Sequence, residues 1–254
     1  MAPHSPPPKP RLHAYLTTQI RTDTLLEAQL LLLTLATGIQ DAATWPDYTC
    51  FASNQTGNTL FLTIAAAGLS GDAYSPRNAA MSLGMFIAGG LVLGQLGLLL
   101  GERTRIWLII SNLVQTLLIL VALVLQYTLP LRTEGPIALS VIACLAFSSG
   151  GQVAMTRSLK VTEITTAMAT AAFVDVVVDP GMLKRKNRMR NRRVGFLVAL
   201  AVGCLIGAFA TRRVASSFAL LWCLVGKGLV MVSFLFNKGV VKEGVEHGLG
   251  VQEV

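Results

Sequence analysis

Long apolar runs make up most of the chain, and short clusters of polar and small residues separate them. Six runs reach the length at which a helix crosses a bilayer, about 20 residues with few charges. They are Leu25–Ala43, Asn78–Leu100, Ile106–Leu129, Pro136–Met155, Val194–Ala210 and Val214–Phe236. Two further runs, Thr59–Leu69 and Glu163–Val178, are shorter or more polar. The pattern predicts an all-α fold, a polytopic transmembrane helix bundle with six long and two short or interrupted membrane segments.

The two short runs set the expected topology. Each follows a polar motif at the end of a long run: Gly38-Ile39-Gln40-Asp41-Ala42 and then Gln55-Thr56-Gly57-Asn58-Thr59 in the first case, Gly150-Gly151-Gln152 and then Glu163-Ile164-Thr165-Thr166 in the second. Two long runs follow each unit. This order predicts an internal two-fold repeat with halves 25–129 and 136–236, divided near Thr128–Gly135. Short or interrupted segments at corresponding places in two halves point to a midplane binding site in transporter-like folds. On this reading Thr56–Leu69 and Glu163–Val178 are expected to be neighbours across a pseudo-two-fold axis. The opposing reading is coincidence, because Gly and small residues are common in membrane helices generally.

Composition supports the class. With 53% hydrophobic and 13% charged residues, the chain has too few charges to coat a soluble globule. One membrane domain, 25–236, is expected between two tails. The first, 1–24, contains Pro3, Pro6, Pro7, Pro8 and Pro10 with Lys9, Arg11 and Arg21, and is expected to be disordered. The second is 237–254. Cys50, Cys144, Cys204 and Cys223 are far apart and lie in or beside apolar runs, so they read as small buried hydrophobes.

The polar clusters carry the candidate chemistry. Amide and ionisable side chains at membrane depth are tolerated where they face a bundle interior or a watery cavity. The expected substrate- or ion-binding residues are Gln40, Asp41, Asn54, Gln55, Thr56, Gly57 and Asn58, with Gln152, Thr166 and Asp175 from the second half. Asp41, Asn54, Gln55, Thr56 and Asn58 are expected to converge on one buried polar site, with Pro46 keeping the preceding helix from continuing regularly and Gly57 admitting a ligand to the backbone. A polar loop with a capped helix start is the plainer reading. Asp175 is expected to pair with Arg157 or a backbone donor.

Enzyme chemistry is not expected. His4, His13 and His247 all lie in the tails, which leaves the membrane domain without an imidazole for a Ser–His or Cys–His pair or for zinc. No cofactor and no metal is expected. Ser148-Ser149-Gly150-Gly151 reads as close helix packing, as does the stripe Gly84, Gly89, Gly90, Gly94, Gly97 and Gly101, whose contact is either internal or with a second copy in a homo-oligomer.

Charge sets orientation. Lys184, Arg185, Lys186, Arg188, Arg190, Arg192 and Arg193 form the dominant basic cluster, so that loop is expected on the cytoplasmic side, and with either six or eight crossings both tails are cytoplasmic too. Lipid is the expected partner, including anionic lipid at Lys184–Arg193, at about 1 kcal/mol per basic residue near the surface. Nucleic acid is not an expected partner, because the run has no supporting fold and no interleaved aromatics. The plasma membrane is preferred to an organelle membrane.

G-x-Q-D-A at Gly38–Ala42, followed by F-x-x-N-Q-T-G-N-T at Phe51–Thr59, resembles the YoaK-type family of multi-pass membrane proteins, a domain of unknown function. Fungal members of that family are similar to the second half as well, at Gly151-Gln152, Arg157, Glu163–Thr166, Asp175 and Asp179-Pro180 ahead of the basic loop. The resemblance covers about Leu25–Phe236 and implies membrane architecture, with no established reaction attached. It departs at Thr170-Ala171-Ala172, where a second T-G motif would stand. Two functional readings follow: a small-solute or ion transporter with a polar site between the halves, and a structural or regulatory membrane protein whose polar residues only hold helices together.

Overall fold

The computed structural model describes residues 12–69 and 73–240. Its helices are α1 Leu12–Thr17, α2 Thr24–Tyr48, α3 Gln55–Ala66, α4 Pro76–Leu100, α5 Arg105–Thr128, α6 Pro136–Ser158, α7 Thr170–Val177, α8 Arg188–Arg213 and α9 Ser216–Ser233, the last followed by a 3-10 turn Phe234–Phe236. The starts are locally encoded. Asp23, Ser75 and Asn187 accept hydrogen bonds from the amides of Leu26, Asn78 and Arg190, and Pro76 and Pro136 occupy first-turn positions. Among the described residues the fold is all-helical.

Helices α4, α5, α6, α8 and α9 with its turn are long and apolar enough to cross a membrane. The protein is an integral membrane protein of the multi-pass kind. Helix α2 has 25 residues, a length that also suffices, but it carries Glu27, Gln29, Gln40 and Asp41. The outward faces of α4 and α8 are apolar, with Leu91, Leu98, Val198, Leu205 and Phe209 exposed, a belt suited to lipid contact.

The long helices alternate in direction. At one end Arg103 donates to Thr22, Ser158 to the Glu102 carbonyl, and Arg188 pairs with Glu27. At the other, Asn78 donates to the carbonyls of Tyr48 and Thr133, and Ser75 to Glu134. Helices α3 and α7 have 12 and 8 residues, hence lengths of about 18 and 12 Å against a hydrocarbon core of about 30 Å. Both flanks of α3 meet at one end, where the Ser75 amide bonds the Thr49 hydroxyl at 2.8 Å.

The expected contact between the two short segments is corrected. Helix α3 packs on α4 and α7 on α8, and the partners of their flanks put them at opposite ends of the bundle. Each short helix is tethered by short connections to the end at which its preceding long helix stops, and α2 and α6 stop at opposite ends.

The core is built by two close crossings, α2 on α8 and α4 on α6, with α5 and α9 completing the bundle. A Cβ on Gly150 would lie 2.0 Å from the Phe86 carbonyl oxygen, and one on Gly89 2.2 Å from that of Phe147. In the other crossing, Gly203 stands against the Leu35 carbonyl and Gly38 against that of Leu200. Gly89, Gly90 and Gly94 of α4 are thus used internally against α6, with Gly97 set against Trp107 of α5. Helix α6 is the central one, with 56% of its apolar window buried against 17% for α4 and α8.

The tails also require correction. Residues 1–11 and 241–254 lie outside the described residues, but from Leu12 the chain is helical and then docked: Ile20 is fully buried, and isolated bridges join Gln19 to Thr104 and Ile20 to Gly239. Arg105 is the reason. Its buried guanidinium lies 3.7 Å from the Tyr15 ring and donates to the carbonyls of Tyr15, Phe234 (3.2 Å) and Asn237 (2.5 Å), so both tails supply acceptors to one charge.

Candidate functional site

The first polar motif folds into a self-satisfied knot. Helix α2 runs two residues beyond Pro46, to Tyr48, and closes on Thr49 at φ 53°; the expectation that Pro46 interrupts it is corrected, because the proline removes only the bond to the Ala42 carbonyl, and Thr49 N–H still closes the last turn on Trp45 O. Asp41, about two turns before that end, grips the loop that follows. Its Oδ1 accepts from the Ala52 and Ser53 amides at 3.0 and 2.8 Å, and its Oδ2 from the Ser53 hydroxyl at 2.5 Å. Asn58 is buried and bonded on both ends of its amide. Its Oδ1 accepts from Phe51 N–H at 3.0 Å, and its Nδ2 donates to Phe51 O, Gln55 Oε1 and Ser82 Oγ at 2.7, 2.9 and 3.1 Å.

Gln55 and Asn58 therefore come together with Ser82, and Asp41 holds the adjoining turn. Asn54 and Thr56 do not join them: both are exposed, and Asn54 caps α3 by accepting from Gly57 N–H at 3.4 Å. The close approach that Gly57 permits is made by the Phe51 ring, which a Cβ would meet at 2.9 Å. Trp45, Phe51, Phe61 and Tyr74 stack over the knot with centroids 4.7–6.2 Å apart.

A second polar assembly lies deeper, where the two halves of the chain meet. Gln40 of α2 donates to Ser149 Oγ of α6 at 2.8 Å, and Gln152 of α6 donates to Thr37 Oγ1 of α2 at 2.9 Å. The exchange is reciprocal. Gln40 with Gln152, Thr37 with Ser149 and Leu35 with Phe147 all stand at one constant offset along the chain. Gln115 of α5 and Lys227 of α9 share that offset, and they meet directly: Lys227 Nζ donates to Gln115 Oε1 and to Ser148 Oγ, both at 3.1 Å. Cys223, one turn before Lys227, reaches Gln40 Oε1 at 3.8 Å and links the two parts of the seam. Thr166 is buried at φ 62° with its hydroxyl 3.5 Å from that of Thr156, off this seam.

A family model described as "Protein of unknown function (DUF1275)" matches residues 29–233. The chain belongs to this family. No curated protein and no solved structure matches it. The DUF1275 match takes in the knot and the seam together, and it begins within α2 and ends at the last residue of α9.

Sequence reasoning missed Lys227, Gln115 and Asn112, three buried polar residues in mid-helix. The signal was present, since Lys227 is the one charged residue between Val214 and Phe236. The remaining candidate, Asp175, lies at the surface; it pairs with Arg193 at 3.3 Å, whereas Arg157 reaches the Met168 sulfur at 3.6 Å. The expected Arg157 partner is corrected, because α7 packs on α8 and presents Asp175 to the start of that helix. The same stretch binds Glu27, through Arg188 and Arg192, and Glu163, through Arg192 at 3.3 Å, so carboxylates already neutralise part of the basic cluster. Arg185, Lys186, Arg188 and Arg192 line a cleft of about 550 Å³ beside them.

Proposed function

We propose that the protein is a small-solute carrier of six crossings, with α3 and α7 as half-helices that enter and return, and with its path along the seam between two inverted halves. The observation that carries this reading is the reciprocal pair Gln40–Ser149 and Gln152–Thr37, which places the equivalent polar residue of each half on the other half at the same depth. An interface of this kind is where carriers of inverted-repeat design hold substrate. The matched crossings of α2 with α8 and α4 with α6 support the repeat. The basic loop on the cytoplasmic side, both tails cytoplasmic and residence in the plasma membrane complete the proposal. Lys184, Arg185 and Lys186 are the residues to which anionic headgroups attach. The reading involves no Ser–His or Cys–His chemistry, for which the membrane domain has no imidazole.

The test is flux of labelled solutes, neutral, cationic and anionic, into liposomes containing the full-length chain. Uptake above protein-free liposomes that falls in Gln40→Leu and in Gln152→Leu is expected. A folded protein that moves no solute of the panel overturns the reading. The alternative is a structural or regulatory membrane protein, and the saturated hydrogen bonding of Asp41 and Asn58 favours it for the knot, which then serves only to fold the loop.

A further inference from the structure

Lys227 is 1% exposed, and its two hydrogen-bond partners, Gln115 Oε1 and Ser148 Oγ, are neutral. No carboxylate among the described residues forms an ion pair with it. An ammonium has three donors, so one N–H is left over. Three residues from Gln115, on the same buried face of α5, stands Asn112, which is fully buried and whose Oδ1 and Nδ2 meet no partner among the described residues. Buried polar groups are otherwise paired, so an orphan amide one helical turn from the residue that holds an uncompensated cation calls for an explanation. Gln115 cannot supply one: its Oε1 takes Lys227, and its Nε2 donates to Ser111 Oγ at 3.0 Å with the Met155 sulfur at 3.9 Å.

We infer that Lys227 and Asn112 form an anion-recognition site in the seam, which takes the carboxylate of a small monovalent solute. One positive charge matches one negative charge. The spare Lys227 N–H and the Asn112 amide supply separate donors, one for each oxygen of a carboxylate. The surrounding residues are neutral, so the attraction is not spent on a resident acid. The inference rests on the carrier reading and specifies its substrate class: each half contributes one residue to recognition, Asn112 from the first and Lys227 from the second, so relative movement of the halves opens or closes the pair.

The experiment uses the purified full-length chain and radiolabelled pyruvate, a small carboxylate that stays ionised. Binding is measured by equilibrium dialysis in detergent, and flux in liposomes. Wild type is expected to bind, and Lys227→Met to lose affinity by about 10- to 100-fold, the range for losing a charge-assisted hydrogen bond. Lys227→Arg keeps the charge and is expected to retain part of the affinity. Asn112→Leu is expected to weaken binding by about tenfold, and with Lys227→Arg it carries the test if Lys227→Met does not fold. Wild type that binds no pyruvate, Lys227→Met that binds as wild type does, or binding of chloride alone each overturns the carboxylate site. Pyruvate binding without flux leaves the site standing and removes the carrier reading. Flux of other solutes unaffected by Lys227→Met removes the site and leaves the carrier.

Discussion

Asp41 shows how much one buried carboxylate organises. Three donors converge on it, two of them backbone amides of the loop that joins α2 to α3. Asp41→Ala leaves those amides without their acceptor, and each buried group so orphaned costs about 1–3 kcal/mol. The expected outcome is a lower thermal-unfolding midpoint in detergent and reduced expression, whether or not flux is measured. An unchanged midpoint would show that the loop holds its shape without the carboxylate. Ser53→Ala removes only the side-chain donor and is expected to have the smaller effect, since both amide bonds remain.

At the scale of the helix, close approach is the governing quantity. Gly150 and Gly89 let α4 and α6 meet backbone to backbone, and the atom facing Gly150 is a carbonyl oxygen that cannot rotate away. Gly150→Ala is therefore expected to destabilise the folded protein by about 1–3 kcal/mol through overpacking. Gly84 lies on the same helix as Gly89 but has nothing within 4 Å of an added Cβ. Gly84→Ala is expected to be neutral or stabilising by up to about 1 kcal/mol, because alanine is the better helix former. Both changes add one methyl group to a glycine, so their difference in unfolding midpoint isolates packing from propensity. Equal midpoints would contradict the packing order of α4 and α6.

The whole molecule is a bundle in which the two helices that carry the polar motifs pack on helices distant in the chain: α2 lies on α8, and α6 on α4. The two short helices lie at opposite ends because α2 and α6 stop at opposite ends. This makes a topological prediction for impermeant thiol reagents, applied to single cysteines in a chain whose Cys50, Cys144, Cys204 and Cys223 are replaced. Cysteines at Leu69 and Leu131, both exposed, are expected to label from one side of the membrane, and one at Leu183 from the other. Labelling of position 69 from the side of Leu183 would mean that α3 crosses, giving eight spans and no half-helices.

Class and most long-helix starts were legible in the sequence, since each depends on neighbours along the chain: apolar length sets a span, and Asp23, Ser75 and Asn187 satisfy amides three residues ahead. Gln40 and Gln152 were legible as a matched pair of motifs, and that they reach across to each other's helix follows from the crossing of α2 and α6. Tertiary structure alone decided which polar residues share a site. Asn54 and Thr56 stand within four residues of Asn58 but do not join it: Thr56 lies about 200° around the helix from Asn58, and the Asn54 side chain is held at the helix start, where it caps Gly57 N–H. Gln115 and Lys227 are far apart in the chain and touch, because α5 and α9 pack side by side. Local order along a helix is a matter of nearest-neighbour sterics and capping, whereas the partner of a buried charge is set by which helix faces approach closely enough to exclude lipid and water.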